Sequence, residues 1–210
     1  MRGQQQAGSG RRFRILLFLC LVFGAAAIAP ACAQADDSAA LWHALKRGGN
    51  VILIRHAATD PGFGDPPGFT LDDCRTQRNL SAAGREDARR LGEIFRRHRI
   101  PLGAILSSRW CRCQDTAQLA FGRHTVWEPL NNIFDFPGNE PDQTPLVKKR
   151  IAAQKPGAPN VVMVSHGVNI AAIARISPAT AEMVIVRPSG KGGGMTLVGR
   201  IPLAVWAGRS

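Results

Sequence analysis

Residues 50–55 read NVILIR, with no polar side chain between Asn50 and Arg55. A strand with one wet face alternates apolar and polar residues, whereas an unbroken run of this kind suits a strand covered on both faces. GAILS at 103–107 and NVVMVS at 160–165 read the same way, and Thr125-Val126-Trp127 reads as a weaker strand between them. Helical patterns separate these runs. One spans 37–47 and stops at Gly48-Gly49. The next spans 81–99, with Ser81 as cap and Ala83, Ala88, Leu91, Ile94 and Phe95 on one face. Others lie at 109–121, 146–154 and 168–175. Residues 57–79 and 134–145 read as loops. Residues 182–187 and 195–201 alternate around a glycine-rich turn and read as a terminal hairpin. Strands alternating with helices predict an α/β fold: a mostly parallel sheet, covered by helices on both faces, with a C-terminal hairpin.

Outward from this frame, the N-terminus has a different character. Arg2, Arg11, Arg12 and Arg14 precede an uncharged apolar run from Ile15 to Ile28, and small residues lead to Ala33-Gln34-Ala35 before Asp36. That layout predicts a signal peptide over residues 1–35, and a periplasmic or secreted chain after cleavage. The run is shorter than the roughly 20 residues of a spanning helix. Membrane attachment is therefore expected only through an uncleaved leader.

The composition excludes a disordered chain, a collagen and a disulfide miniprotein: 45% of residues are hydrophobic, and the length of 210 suits one domain with a sizeable core. The formal net charge is +12, and the chain stays basic without the leader arginines, which favours anionic substrates. The charges are spread out and lack an aromatic platform or a basic stripe, so nucleic acid is not an expected partner. Cys74, Cys111 and Cys113 remain after cleavage. Cys111 and Cys113 point apart on a helix, so a disulfide is expected between Cys74 and one of them. The cysteines lack the ligand spacing of a zinc site, and no metal or other cofactor is expected.

In parallel sheets the chemistry gathers beyond the carboxyl ends of the strands. Here those ends carry Arg55-His56, Ser107-Ser108 followed by Arg109 and Arg112, and Ser165-His166-Gly167, with no acid or thiol among them. Guanidinium groups offer paired donors to phosphate oxygens. A neutral imidazole can attack phosphorus, and a second can donate to the same phosphoryl group as charge builds.

Four ordered segments then resemble one family. LIRHAATD (53–60) resembles the Arg-His-Gly signature of the histidine phosphatase superfamily, which has the phosphoglycerate-mutase-like fold. RNLSAAGREDARRLG (78–92) resembles its helix start of leucine, Ser or Thr, two residues and glycine. ILSSRWCRCQDTA (105–117) resembles its Ser-Ser, Arg and Thr-Ala block, and VVMVSHGVNI (161–170) its second-histidine strand. The resemblance covers about residues 50–175 and implies a histidine phosphatase domain over 36–210. It implies His56 as nucleophile, Arg55 and Arg112 as phosphate-binding arginines, and His166 as a second catalytic, phosphate-contacting histidine. Gly167 after His166 is like the mutase-like branch, which lacks the His-Asp pair of the acid phosphatases.

The chain departs from the family at Ala57, which replaces a glycine, and at Ala58, which replaces an acid. The branch's proton donor usually follows a leucine after the third strand, but Leu130 is followed by Asn131-Asn132. Glu128 and Asp135 are the nearest candidate acids, with Asp60 and Asp65 next. A missing acid would suit a substrate with a good leaving group. The resemblance implies a phosphatase that forms a phosphohistidine on His56 without a metal, and the leader pattern makes it an exported one. Its substrate would be a phosphorylated small molecule, such as a nutrient phosphate, or an envelope glycolipid head group. A catalytically weak or inactive phosphate-binding or anion-binding envelope protein on the same fold is the alternative. The mechanism needs His56 unprotonated, helped by repulsion from the arginines, and His166 as a donor.

Overall fold

In the computed structural model the chain runs α1 (Cys32–Lys46), β1 (Val51–Arg55), α2 (Ala82–Arg97), β2 (Leu102–Ser107), α3 (Cys111–Phe121), β3 (Thr125–Val126), α4 (Glu140–Ala152), β4 (Asn160–Ser165), α5 (Gly167–Ala174), β5 (Met183–Pro188), β6 (Met195–Ile201) and α6 (Leu203–Trp206). Residues 32–190 and 194–206 are described. The expected leader at 1–35 falls almost wholly outside them. No helix among the described residues is long and apolar enough to cross a membrane.

The strands form one six-stranded sheet in the order β3-β2-β4-β1-β5-β6. β3, β2, β4 and β1 are mutually parallel; β5 runs antiparallel to both β1 and β6, closing the hairpin. The apolar runs are buried on both faces because successive side chains point to opposite sides. Ile52, Ile54, Val162, Val164, Met183 and Ile185 face one core with Leu45 of α1, Leu91 and Phe95 of α2 and Ala117 of α3. Val51, Leu53, Val161, Met163, Val184 and Val186 face the other, with Val147 and Ile151 of α4 and Ile170 and Ile173 of α5.

Some details differ from the sequence expectation: α1 starts at Cys32 rather than at 37, and the short α6 is not among the expected helices. Helix α4 starts at Glu140, inside the segment read as loop, and contains Pro145. Proline reads as a breaker, but Pro141 sits in the first turn, where its missing N–H costs nothing. On α2 the buried residue near the start is Gly84, whereas Ala83 is exposed. A Cβ at Gly84 would lie 1.9 Å from the Ala58 carbonyl oxygen, so the helix packs directly on the backbone that follows His56.

Register positions the site. Arg55 pairs with Ser165 and Ser107 with Val164, so the β1, β4 and β2 ends lie side by side. The His56 N–H donates to the Ser165 carbonyl at 2.9 Å, and the Ser108 N–H to the Val164 carbonyl at 3.0 Å.

Candidate active site

His56 leaves the end of β1 into a segment clamped from two helices. The Ser81 hydroxyl caps α2 by accepting from the Gly84 N–H at 3.1 Å, while the Ser81 N–H donates to the Ala58 carbonyl at 3.1 Å. From α3, Thr116 Oγ1 accepts from the Ala57 N–H at 3.1 Å and donates to the Arg112 carbonyl at 2.7 Å. The serine-glycine and Thr-Ala patterns thus hold the backbone around the histidine.

The His56 ring is buried, and its Nδ1 lies 2.9 Å from the Ala57 carbonyl. A carbonyl only accepts, so Nδ1 carries the proton and Nε2 the lone pair. Burial lowers the His56 pKa to about 3, aided by repulsion from Arg112, Arg55 and Arg78 and opposed by the Ala57 bond. His166 is 5.4 Å away between ring centroids, and its Nε2 lies 2.9 Å from Ser108 Oγ. Its pKa is also held well below the usual value, by burial first and then by His56 and the arginines. Both rings are therefore neutral among protein groups alone, so the donor role expected of His166 falls to a neutral ring N–H until an anion binds. An incoming dianion reverses the repulsion at His166.

The two histidines open into a cavity of about 420 Å³ that is also lined by Arg55, Arg78, Arg112 and Asn132. Arg112 is almost wholly buried, whereas Arg109 sits on the surface in an ion pair with Asp72. Arg55 Nη1 donates to the Pro178 carbonyl at 3.0 Å. The Nε atoms of Arg55 and Arg112 are buried without a hydrogen-bond partner among the described residues. Three guanidinium groups around two neutral imidazoles suit a bound anion and disfavour a metal cation.

The candidate acids separate. Glu128 is exposed and does not line the cavity, and neither does Asp60, also exposed. The Asp65 side chain is shielded from water and accepts from Arg112 Nη1, the Arg78 N–H and Trp110 Nε1. Burial raises its pKa, but the bonds from Arg112 and Arg78 outweigh that and hold it below the ordinary range, which suits an ion-pair partner rather than an acid. Asp135 has a raised pKa, from burial and the nearby Asp65 charge. It stands behind Asn132, whose amide donates to it at 2.6 Å, and Asn132 itself occupies the cavity wall.

Several site residues escaped the sequence reading. Arg78 opens the helix-start motif, and an arginine beside a helix cap reads as solvated. Cys113 reaches the site although it follows no strand, and Asp65, expected only as a candidate acid, enters it instead as the partner of Arg112. Cys113 lies 3.5 Å from His166 Nε2, and burial pushes its thiol pKa up to about 12, so it stays a neutral thiol. Cys74 pairs with Cys111, one of the two expected alternatives, and ties the long loop to the start of α3.

Residues 51–133 match the family model described as histidine phosphatase superfamily, branch 1. Over that segment, which carries His56 and Arg112, the chain is similar to the histidine phosphatase superfamily. Among solved structures this chain resembles the protein histidine phosphatase SixA complexed with tungstate, at 14% identity and TM-score 0.52, covering 74% of this chain and 97% of that one. It also resembles the mycobacterial glucosyl-3-phosphoglycerate phosphatase with inorganic phosphate, at 19% identity and TM-score 0.53, covering 71% and 95%. A third likeness is to an open-reading-frame product of Mycobacterium tuberculosis, at 19% identity and TM-score 0.52, covering 70% and 94%. At these identities the likeness is one of fold. No curated protein matches the sequence.

Proposed function

We propose that this chain is a histidine phosphatase that hydrolyses phosphate monoesters through a phosphohistidine on His56, using protein groups alone. The observation that carries this is the His56 Nδ1 contact with the Ala57 carbonyl, which leaves the Nε2 lone pair beside three arginines. Arg55, Arg78 and Arg112 hold the phosphoryl oxygens. Nε2 attacks phosphorus, the phosphorus–oxygen ester bond breaks, and the leaving alkoxide takes a proton. Water then attacks phosphorus and the phosphorus–nitrogen bond breaks, freeing phosphate and neutral His56. His166, held at Nε2 by Ser108, takes up a proton as phosphate binds and donates to the phosphoryl group. Asp135 is the proposed proton donor for poor leaving groups.

The substrate is a phosphorylated small molecule or the head group of an envelope glycolipid. The leader pattern supports export to the periplasm or beyond, and the Cys74–Cys111 disulfide suits such an oxidising compartment. Among similar folds, one is a protein histidine phosphatase and another a glucosyl-3-phosphoglycerate phosphatase, so the fold leaves the substrate open. The test is turnover of 4-nitrophenyl phosphate in the presence of chelator, with His56→Ala as control. Full activity in that variant sinks the mechanism.

One observation favours a second reading, a phosphate-binding protein without turnover: Asn132 stands on the wall where an acid would serve. Alkaline trapping and mass spectrometry separate the two. A phosphorylated His56 peptide eliminates the pure binder.

A further inference from the structure

Phe63 is the most exposed large apolar side chain among the described residues, at 88%, and it lines the same cavity as the histidines. It sits between Gly62 and Gly64, whose φ values of 142° and 69° turn the chain so that the ring projects outward. Its edge-to-face partner is Phe134, 45% exposed, with ring centroids 5.1 Å apart at 88°. Two rings from separate loops therefore meet at the cavity mouth.

The turn is tied to the phosphate site. Arg78 Nε donates to the Gly64 carbonyl at 2.8 Å, and the next residue, Asp65, holds Arg112. Val168, Ala171 and Pro178 add apolar surface to the cavity lining. Asn132 already spends one amide N–H on Asp135 and one carbonyl lone pair on the Phe134 N–H, which leaves it a single donor and a single acceptor for a ligand. The cavity volume of about 420 Å³ lies in the range of organic-ligand sites and leaves room beyond a phosphoryl group. Beyond the phosphate-binding groups, a hydroxyl-rich group would find side-chain partners only in Ser177 and the remaining valences of Asn132, while an apolar ring would cover both phenyl groups.

We propose that Phe63 and Phe134 form a leaving-group platform, so that the preferred substrates are phosphomonoesters of an apolar, ring-bearing alcohol or phenol. This rests on the phosphatase reading and narrows it. Phosphonates isolate binding from chemistry, because their carbon–phosphorus bond is not hydrolysed. Titration calorimetry on the full chain should show benzylphosphonate binding about tenfold more tightly than methylphosphonate. In Phe63→Ala and in the Phe63→Ala, Phe134→Ala double variant, that ratio should fall toward one. Equal affinities in the wild-type chain overturn the proposal, whatever the variants do. So does a ratio that survives both substitutions, or a polar sugar phosphonate that gains as much as the benzyl compound. Failure of the wild-type chain to bind inorganic phosphate at all would instead remove the phosphatase reading and this proposal with it.

Discussion

Arg112 Nη1 donates to both carboxylate oxygens of Asp65, at 2.8 and 3.0 Å, with both side chains shielded from water. A buried charge stripped of its partner is costly, by about 3–5 kcal/mol, because the remaining ion has neither water nor counterion. Asp65→Asn should lower unfolding stability by an amount of that order in urea titration. It should also lower kcat/KM at least tenfold, because Arg112 loses the group that aims it. Asp60→Asn, on an exposed residue, should leave both within twofold or a few tenths of a kcal/mol.

Asp135 and Glu128 should differ by leaving group. If Asp135 delivers the proton, Asp135→Asn slows an alkyl phosphate by about 10²–10⁴ and 4-nitrophenyl phosphate far less, since nitrophenolate leaves unaided. Its high-pH limb on alkyl phosphates should also disappear. Glu128→Gln should be silent on both substrates. Equal losses on alkyl and aryl phosphate in Asp135→Asn would assign it a structural role.

Acid should weaken the fold through the histidines. In the unfolded chain they titrate near 6.5, whereas folded His56 titrates at about 3 and His166 is shifted the same way. Between those values the unfolded chain binds protons that the folded chain refuses. The stability contribution is therefore complete above pH 6.5 and is lost as pH falls toward 3. Each ring contributes a slope of up to about 1.4 kcal/mol per pH unit in that window. Urea unfolding from pH 7 to 4 should show a shallower decline in the His56→Ala, His166→Ala double variant.

Disulfide removal should be felt at the site as well as in stability. Cys74 and Cys111 are 37 residues apart in sequence, and Cys111 directly precedes Arg112. The Cys74→Ser, Cys111→Ser variant should lose about 2–4 kcal/mol and bind phosphate more weakly. Reductant should lower the wild-type melting temperature and leave that of the variant unchanged. Cys113 should resist alkylation until the chain unfolds, because it is buried as a neutral thiol.

Gly84→Ala should cost more than a surface helix substitution, although alanine is the better helix former. Its methyl would press into the Ala58 carbonyl at 1.9 Å, pushing α2 off the segment that follows His56. A loss of about 1–3 kcal/mol, with a fall in kcat, is expected from thermal denaturation and steady-state kinetics.

The sequence by itself determined the layers. NVILIR and NVVMVS have no polar residue to spare for a wet face, so helices had to cover both sides, and the motifs at 53–60 and 161–170 marked which strand ends carry histidines. Pairing order and register were decided only in three dimensions. That β4 inserts between β1 and β2, bringing His56 and His166 within 5.4 Å, depends on contacts between segments about a hundred residues apart, which no local pattern encodes. The long loop shows the same division. Its glycines, prolines and acids announced a functional segment, but Asp60 and Asp65 looked alike as loop carboxylates. Folding buried one against Arg112 and left the other in water. A carboxylate's role follows from its dielectric surroundings and the cations that reach it, and those are set by packing rather than by its neighbours in the chain.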